Sequence, residues 1–212
     1  MNEFFKSKGP ADEEHKEYFV NGNLMISYTK KNGDLEGDLI DYYKNGKIIS
    51  ISHFEHGHFN GTNQSFNELG QLTNEEIFAH DTLLSLKEIK YYKNGSIEQE
   101  ESLIFDKDSL KICPFGKLQT KLLILRFDYG TDKLKSHGKQ IQYFKNGKIS
   151  QNAPLINELY EGIVKGYYDD GTLYWEGLYH NDYCDGVFLY YDVDGALEKR
   201  EIWEKGKKIR TE

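Results

Sequence analysis

The stretch Tyr167–Lys207, YYDDGTLYWEGLYHNDYCDGVFLYYDVDGALEKREIWEKGK, contains one β-hairpin pattern twice. Each copy has paired tyrosines, a turn closed by glycine (Gly171, Gly195), an aliphatic residue two places on (Leu173, Leu197) and an aromatic eight places on (Tyr179, Trp203). Between the turns the side chains alternate with the period of two that belongs to strands.

Working outward, the marker glycine recurs as Gly22, Gly46, Gly70, Gly95, Gly116 and Gly147, giving intervals of 24, 24, 25, 21, 31, 24 and 24 residues up to Gly195. Leu or Ile follows two places later in every unit: Leu24, Ile48, Leu72, Ile97, Leu118, Ile149, Leu173 and Leu197. Eight places after the marker stand Phe54, Phe78, Leu103, Leu155, Tyr179 and Trp203. A second glycine follows fifteen places after it in Gly37, Gly61, Gly162 and Gly186. A fixed period of this length marks stacked supersecondary units. Gly116 to Gly138 spans 22 residues instead of 15, which places a seven-residue insertion around residues 128–137.

The expectation is therefore all-β: one elongated antiparallel sheet of about eight stacked hairpins over residues 18–212, with one concave side open. Residues 1–17 read as a polar leader, loose or helical from Ala11, that covers the first open strand edge. Asn21-Gly22, Asn32-Gly33, Asn45-Gly46, Asn94-Gly95 and Asn146-Gly147 predict two-residue type I′ turns, which need positive φ at both central residues. Gly61, Gly138, Gly162 and Gly186 are expected to let a neighbouring ring lie over the backbone. Leu173, Trp175, Gly177 and Tyr179 share the face expected to be buried. The run Leu122–Leu125 suits a strand covered on both sides.

Lys and Arg number 27 against 35 Asp and Glu, a net charge of −8. That balance argues against nucleic acid as a partner, because phosphate neutralisation needs clustered cations. It also weakens attraction to anionic membranes. The start carries no apolar run of signal-peptide length and no segment reaches a membrane span, so a cytoplasmic protein is expected. Cys113 and Cys184 belong to no paired motif, in keeping with a reducing compartment, and Cys184 reads as a small packed residue.

His53, Glu55, His56 and His58 cluster around one turn. A metal needs three or four converging ligands with supporting hydrogen bonds, and here the expectation is a solvated turn edge with no metal. Asp192-x-Asp194-Gly195 starts like a calcium loop but has Leu197 and Trp203 where that loop needs glycine and glutamate. Glu75-Glu76 and Asp169-Asp170 are adjacent pairs whose side chains diverge, and no nucleophile, zinc-protease or phosphate-loop motif occurs. Neither an enzyme nor a cofactor is expected. The remaining candidates are amphipathic aromatics suited to contact with a partner: Tyr43, Tyr92, Phe144, Tyr168 and Trp175.

Taken together, the 24-residue hairpin with Tyr-Tyr, Asn/Asp-Gly, Leu/Ile at +2, an aromatic at +8 and glycine at +15 resembles the MORN repeat. It is most similar to the bacterial variant of that repeat found in the antitoxin-like YwqK group, over about Tyr18 to Lys207. The resemblance implies a non-enzymatic scaffold for protein–protein interaction, with a toxin as the partner. The alternative it implies is a peripheral module that binds membrane phospholipid.

Overall fold

The computed structural model describes residues 12–106 and 135–212. Cys113, Gly116, Leu118, the run Leu122–Leu125 and most of the 128–137 insertion lie outside the described residues. Eighteen strands are described and no helix among them. They are β1 (Glu13–Tyr18), β2 (Leu24–Lys31), β3 (Asp34–Leu35), β4 (Gly37–Tyr42), β5 (Ile48–Glu55), β6 (His58–Phe59), β7 (Gly61–Phe66), β8 (Leu72–Ala79) and β9 (Thr82–Tyr91). There follow β10 (Ile97–Phe105), β11 (Ser136–Tyr143), β12 (Ile149–Ile156), β13 (Leu159–Tyr160), β14 (Gly162–Tyr167), β15 (Leu173–His180), β16 (Tyr183–Tyr191), β17 (Leu197–Glu204) and β18 (Lys207–Thr211). Contacts divide the chain into two units, the first holding residues 12–83 and the second residues 84–106 and 135–212 of those described. Within each, successive strands pair antiparallel as an open sheet of hairpins.

Two kinds of turn alternate along the chain, and only one of them is of the predicted type. At all seven described marker glycines the glycine N–H donates to the carbonyl three residues back, at 2.8–3.0 Å, as Gly46 does to Tyr43. The glycine alone has positive φ there (Gly46, +84°), and Asn45 does not. These are type I turns followed by a left-handed glycine bulge, and the ladder slips register beside each of them. The asparagine serves through its side chain: Asn45 Oδ1 accepts from Lys47 N–H at 3.0 Å, and Asn94, Asn146 and Asp170 do the same two residues on. A local acceptor of this kind favours Asn or Asp without requiring positive φ from it.

The true two-residue turns with positive φ at both positions are at the opposite end of the strands. They are Asn32-Gly33, His56-Gly57, His80-Asp81, Asn157-Glu158, Asn181-Asp182 and Lys205-Gly206. Of the five predicted, Asn32-Gly33 is the one that belongs here. The rest hold non-glycine residues in the left-handed region, which costs most residues about 1–2 kcal/mol and Asn less. Lys205→Asn, which leaves Gly206 to complete an Asn-Gly turn, is expected to stabilise by about 0.5–1 kcal/mol, read as a rise in the urea midpoint at unchanged slope.

The glycines fifteen after the marker have a backbone reason. Gly37, Gly61, Gly162 and Gly186 have φ between +79° and +112°, and at the first three the return strand breaks in two. Ser85 stands at that place in the third unit, and β9 runs unbroken there. Gly138 differs: its φ is ordinary, and a Cβ on it would come within 1.9 Å of the Ser102 carbonyl oxygen.

Strand β10 pairs directly with β11, Leu103 opposite Gly138, and the Tyr92 phenol donates to the Tyr143 carbonyl at 2.7 Å. The turns at Gly95 and Gly147 are thus consecutive in the ladder. Gly138 is therefore nine residues before its marker, as Gly162 and Gly186 are before theirs. Of the 52 residues from Gly95 to Gly147, residues 107–134 lie outside the described residues, between β10 and β11. Among the described residues there are seven marker turns; the eighth expected unit, around Gly116, lies outside them.

Glu13–Glu17, expected in the leader, belong to strand β1, paired to β2 from Glu13↔Lys30 to Tyr18↔Leu24. Pairing satisfies backbone groups that a polar segment of this length would otherwise leave to water. In the first unit the core is Phe54, Phe59 and Phe78, flanked by Leu35, Leu39 and Leu83. The rings are 4.5 and 5.3 Å apart, and full burial of each contributes about 1.5–3 kcal/mol.

Candidate functional site

Alternation along β15 places Trp175, Gly177 and Tyr179 on one face, and the ladder fixes what stands beside them. Gly166, Trp175, Tyr190 and Lys199 form one cross-strand row; Val164, Gly177, Phe188 and Glu201 form the next. Each large ring lies over a glycine on the adjacent strand. A Cβ on Gly166 would come within 2.0 Å of Trp175 Nε1, and one on Gly177 within 2.2 Å of the Phe188 ring. The sequence assigns such contacts to Gly61, Gly138, Gly162 and Gly186; a Cβ on Gly61 would meet the His53 ring at 3.2 Å, whereas Gly138 faces the Ser102 backbone, Gly162 Pro154 and Gly186 Leu178. Phe188, buried, is stacked on Trp175 at 6.0 Å, meets Tyr179 edge-on at 5.5 Å and lies 5.8 Å from Trp203.

Polar groups border these rings. The buried carboxylate of Glu201 accepts from Tyr190 Oη at 3.1 Å and from Trp203 Nε1, Lys199 Nζ and Lys208 Nζ at 3.2 Å each. Burial pushes its pKa up, but these bonds outweigh that and hold it below the ordinary carboxylate value. Tyr190 is pushed up to about 12 by burial and by its bond to Glu201, so it stays a donor, and Lys199 Nζ lies 4.0 Å over its ring. Burial, then the neighbouring Cys184, likewise raises Tyr179. Cys184 is a half-buried free thiol. Trp175 is half-buried, and its indole N–H has no hydrogen-bond partner among the described residues, whereas that of Trp203 is held by Glu201.

The corresponding row of the first unit is different in chemistry: Asp41, Ser50, Ser65 and Asn74 stand where the second has Gly166, Trp175, Tyr190 and Lys199. Asp41 is raised by burial, opposed by a 3.1 Å bond from Ser50 Oγ. A raised carboxyl is uncharged at no extra cost below the ordinary pKa of 3.8, and its contribution to stability is lost as pH rises through the folded value. Asp41→Asn is expected to be more stable than wild type at pH 7, with the gap closing as pH falls toward 3.8, checked by urea unfolding at several pH values.

Of the five residues the sequence singled out, Tyr43, Tyr92, Phe144 and Tyr168 share one place, three before a marker glycine. Their phenols tie a turn to the next unit: Tyr43 donates to Phe66 O at 2.9 Å, Tyr92 to Tyr143 O at 2.7 Å and Tyr168 to Tyr191 O at 2.9 Å. Phe144 has no hydroxyl, and there Asn146 Nδ2 bonds Asp169 O at 2.9 Å instead. Trp175 lies among the face rings described above. The structure thus separates four residues of the turn edge from one of the face. Half of each tyrosine's polar tip is already spent inside the sheet.

His53, His56 and His58 do not converge. His53 pairs with Asp38 at 2.7 Å, His56 with Glu36 at 3.7 Å and His58 with Asp81 at 2.6 Å, while Glu55 accepts from Asn60. Among the described residues no group of three or more His, Cys, Asp or Glu could hold a metal ion.

The sequence reading passed over the opposite face of the second unit. There Ile163 opposes Leu178 and Val187 opposes Ile202 on consecutive strands, and Ile163, Leu178 and Val187 are 55%, 44% and 38% exposed. The first unit has Asp38, His53 and Thr62 in the matching places. The signal was present as aliphatics seven and sixteen after the last markers, but nothing local says which face is wet.

The pattern of a MORN repeat variant matches residues 35–56, 136–157 and 160–181. Each match begins eleven residues before a marker glycine (Gly46, Gly147, Gly171) and ends ten after it, so each covers a marker turn with its two flanking strands. Such repeats are typically non-catalytic modules that bind proteins or membrane lipids. No curated protein matches the chain significantly.

Proposed function

We propose that this protein is a non-enzymatic, antitoxin-like scaffold that holds a protein partner, a toxin, against the aromatic face of its second unit. The observation that carries the reading is Trp175: a half-buried indole whose N–H has no hydrogen-bond partner among the described residues, in a row where the first unit offers small polar side chains. Large rigid rings with a polar tip and little side-chain entropy to lose are the usual anchors of protein interfaces. Tyr92, Phe144 and Tyr168, in the same unit, would flank such a contact along its turn edge, whereas Tyr43 belongs to the first unit. Their structural bonds make them supports first.

The test is co-purification with the product of an adjacent reading frame, followed by titration with Trp175→Ala, Trp175→Phe and Tyr168→Phe. Trp175→Ala is expected to weaken the complex about 30-fold or more, a 2 kcal/mol anchor, and Trp175→Phe less. Tyr168→Phe should cost about 1 kcal/mol of stability and leave affinity near wild type. If no neighbouring product binds and Trp175→Ala alters no phenotype while its circular dichroism stays native, the reading falls.

A second reading, peripheral lipid binding, draws on the exposed Ile163, Leu178 and Val187. It expects flotation with phosphatidylserine vesicles that Leu178→Glu abolishes. A chain of net charge −8 is a poor match for that surface, which ranks this reading second.

A further inference from the structure

Alternation fixes which side chains share the Trp175 face, and from β11 to β15 that face holds no charge. Strands β11, β12, β14 and β15 place His137, Lys139, Lys165, Glu176 and His180 on the opposite face, and no Asp, Glu, Lys, Arg or His on this one. In a chain with 29% charged residues, a face of four strands without one is a chemical feature. The first unit lacks it, since Asp41 and Glu76 stand on the matching face. What the second unit carries instead is amide. Gln142, Gln151, Gly166 and Trp175 form one cross-strand row, three steps and about 14 Å long. Gln142 Nε2 donates to Gln140 Oε1 and Gln151 Nε2 to Tyr160 Oη, each at 3.2 Å, so either carboxamide keeps its oxygen and one N–H. Neither oxygen has a hydrogen-bond partner among the described residues, nor has the indole N–H of Trp175. The pyrrole edge of that indole lies over Gly166, with Gln151 next in the row. Acids border the row on both sides, but they already accept hydrogen bonds: Glu101 from Gln140 Nε2 at 3.1 Å, and Glu201 from Tyr190 Oη at 3.1 Å.

We propose that the partner lays an uncharged, extended segment across this row, its peptide groups paired with the carboxamides of Gln142 and Gln151 and one of its carbonyls accepting from Trp175 Nε1. The inference rests on the protein-binding reading above and adds the chemistry of the contact. A carboxamide with one donor and one acceptor to offer is the complement of a peptide group, which has one of each. The row has the length of about four extended residues. A charged side chain set down here would lose its water with no opposite charge to meet it, so the segment carries none.

The experiment is titration of the full chain with the product of the adjacent reading frame, in about 0.05 M and about 0.5 M salt. The Kd is expected to move less than about twofold between the two, because salt screens charges and this contact has none. Gln142→Met and Gln151→Met, which keep the bulk and remove the polar atoms, should each weaken the complex about 3- to 10-fold with native circular dichroism. Gln151→Lys and Gln151→Glu should both weaken it at least about tenfold, whichever the sign of the new charge. A tighter complex with either one, or a Kd that rises steeply with salt, would reveal a charged partner surface and overturn the proposal. Methionine variants that bind like wild type while Trp175→Ala weakens the complex would overturn it too, and leave the protein-binding reading standing. Absence of any binding removes both. A chain that dimerises by itself until Gln151→Lys is introduced would assign the face to a second copy and likewise overturn the proposal.

Discussion

Gly177→Ala is expected to destabilise the protein by about 2–3 kcal/mol, and to do so only while Phe188 is present. The new methyl would begin 2.2 Å from the Phe188 ring, and that ring cannot step aside, being 3% exposed and wedged among Trp175, Tyr179 and Trp203. Phe188→Ala alone should cost about 3–5 kcal/mol, since a buried ring is lost and the cavity refills poorly. On that background Gly177→Ala has room and an ordinary φ, and it should be neutral or slightly stabilising, as alanine restricts the unfolded chain. Urea unfolding of the four proteins gives the coupling as a double-mutant cycle. Additive effects would mean that the ring does not rest on that glycine.

Gly138→Ala is expected to cost about 3 kcal/mol or more, and here no second substitution should relieve it. The added carbon meets the Ser102 carbonyl oxygen at 1.9 Å and its carbon at 2.9 Å, so the obstacle is backbone. The β10–β11 ladder from Gln99↔Gln142 to Phe105↔Ser136 would have to part, and separated backbone groups in a half-buried sheet lose bonds that water replaces poorly. Removing the Ser102 side chain with Ser102→Ala should rescue nothing. Hydrogen exchange would locate the damage: faster exchange in β10 and β11 is expected, with Val164 in β14 less affected. A Gly138→Ala protein as stable as wild type would contradict the close approach of these strands.

The contrast between these two glycines shows what a sequence can carry. The period, the Leu or Ile at +2 and the apolar residue at +8 specified antiparallel hairpins, because side-chain alternation and turn chemistry act over a few residues. Phe54, Phe78, Leu103 and Leu155, all at +8, are among the most buried side chains in the structure. The same local signals misassigned the turns. Asn-Gly fits both a type I′ turn and a type I turn with a glycine bulge, and which one forms is settled by the register of the flanking strands. Gly186 and Gly177 likewise look alike in sequence, although one answers to φ and the other to a ring on the next strand.

The passage of the ladder from β10 to β11 is also illegible locally, since it rests on the pairing of Leu103 with Gly138 across 35 residues of chain. The candidate site was half legible. Trp175 could be put on a face by alternation, but the phenols of Tyr43, Tyr92 and Tyr168 bond carbonyls 23, 51 and 23 residues away. Contacts at that separation leave no mark on the residues beside them.

By itself the sequence determined the repeat, the strand class and the inward residues, since backbone sterics and the two-residue period need nothing beyond neighbours along the chain. Tertiary pairing alone decided which glycines make room for a ring, that β10 lies beside β11 and which aliphatics stay wet. Those are properties of atoms on adjacent strands, and register brings them together.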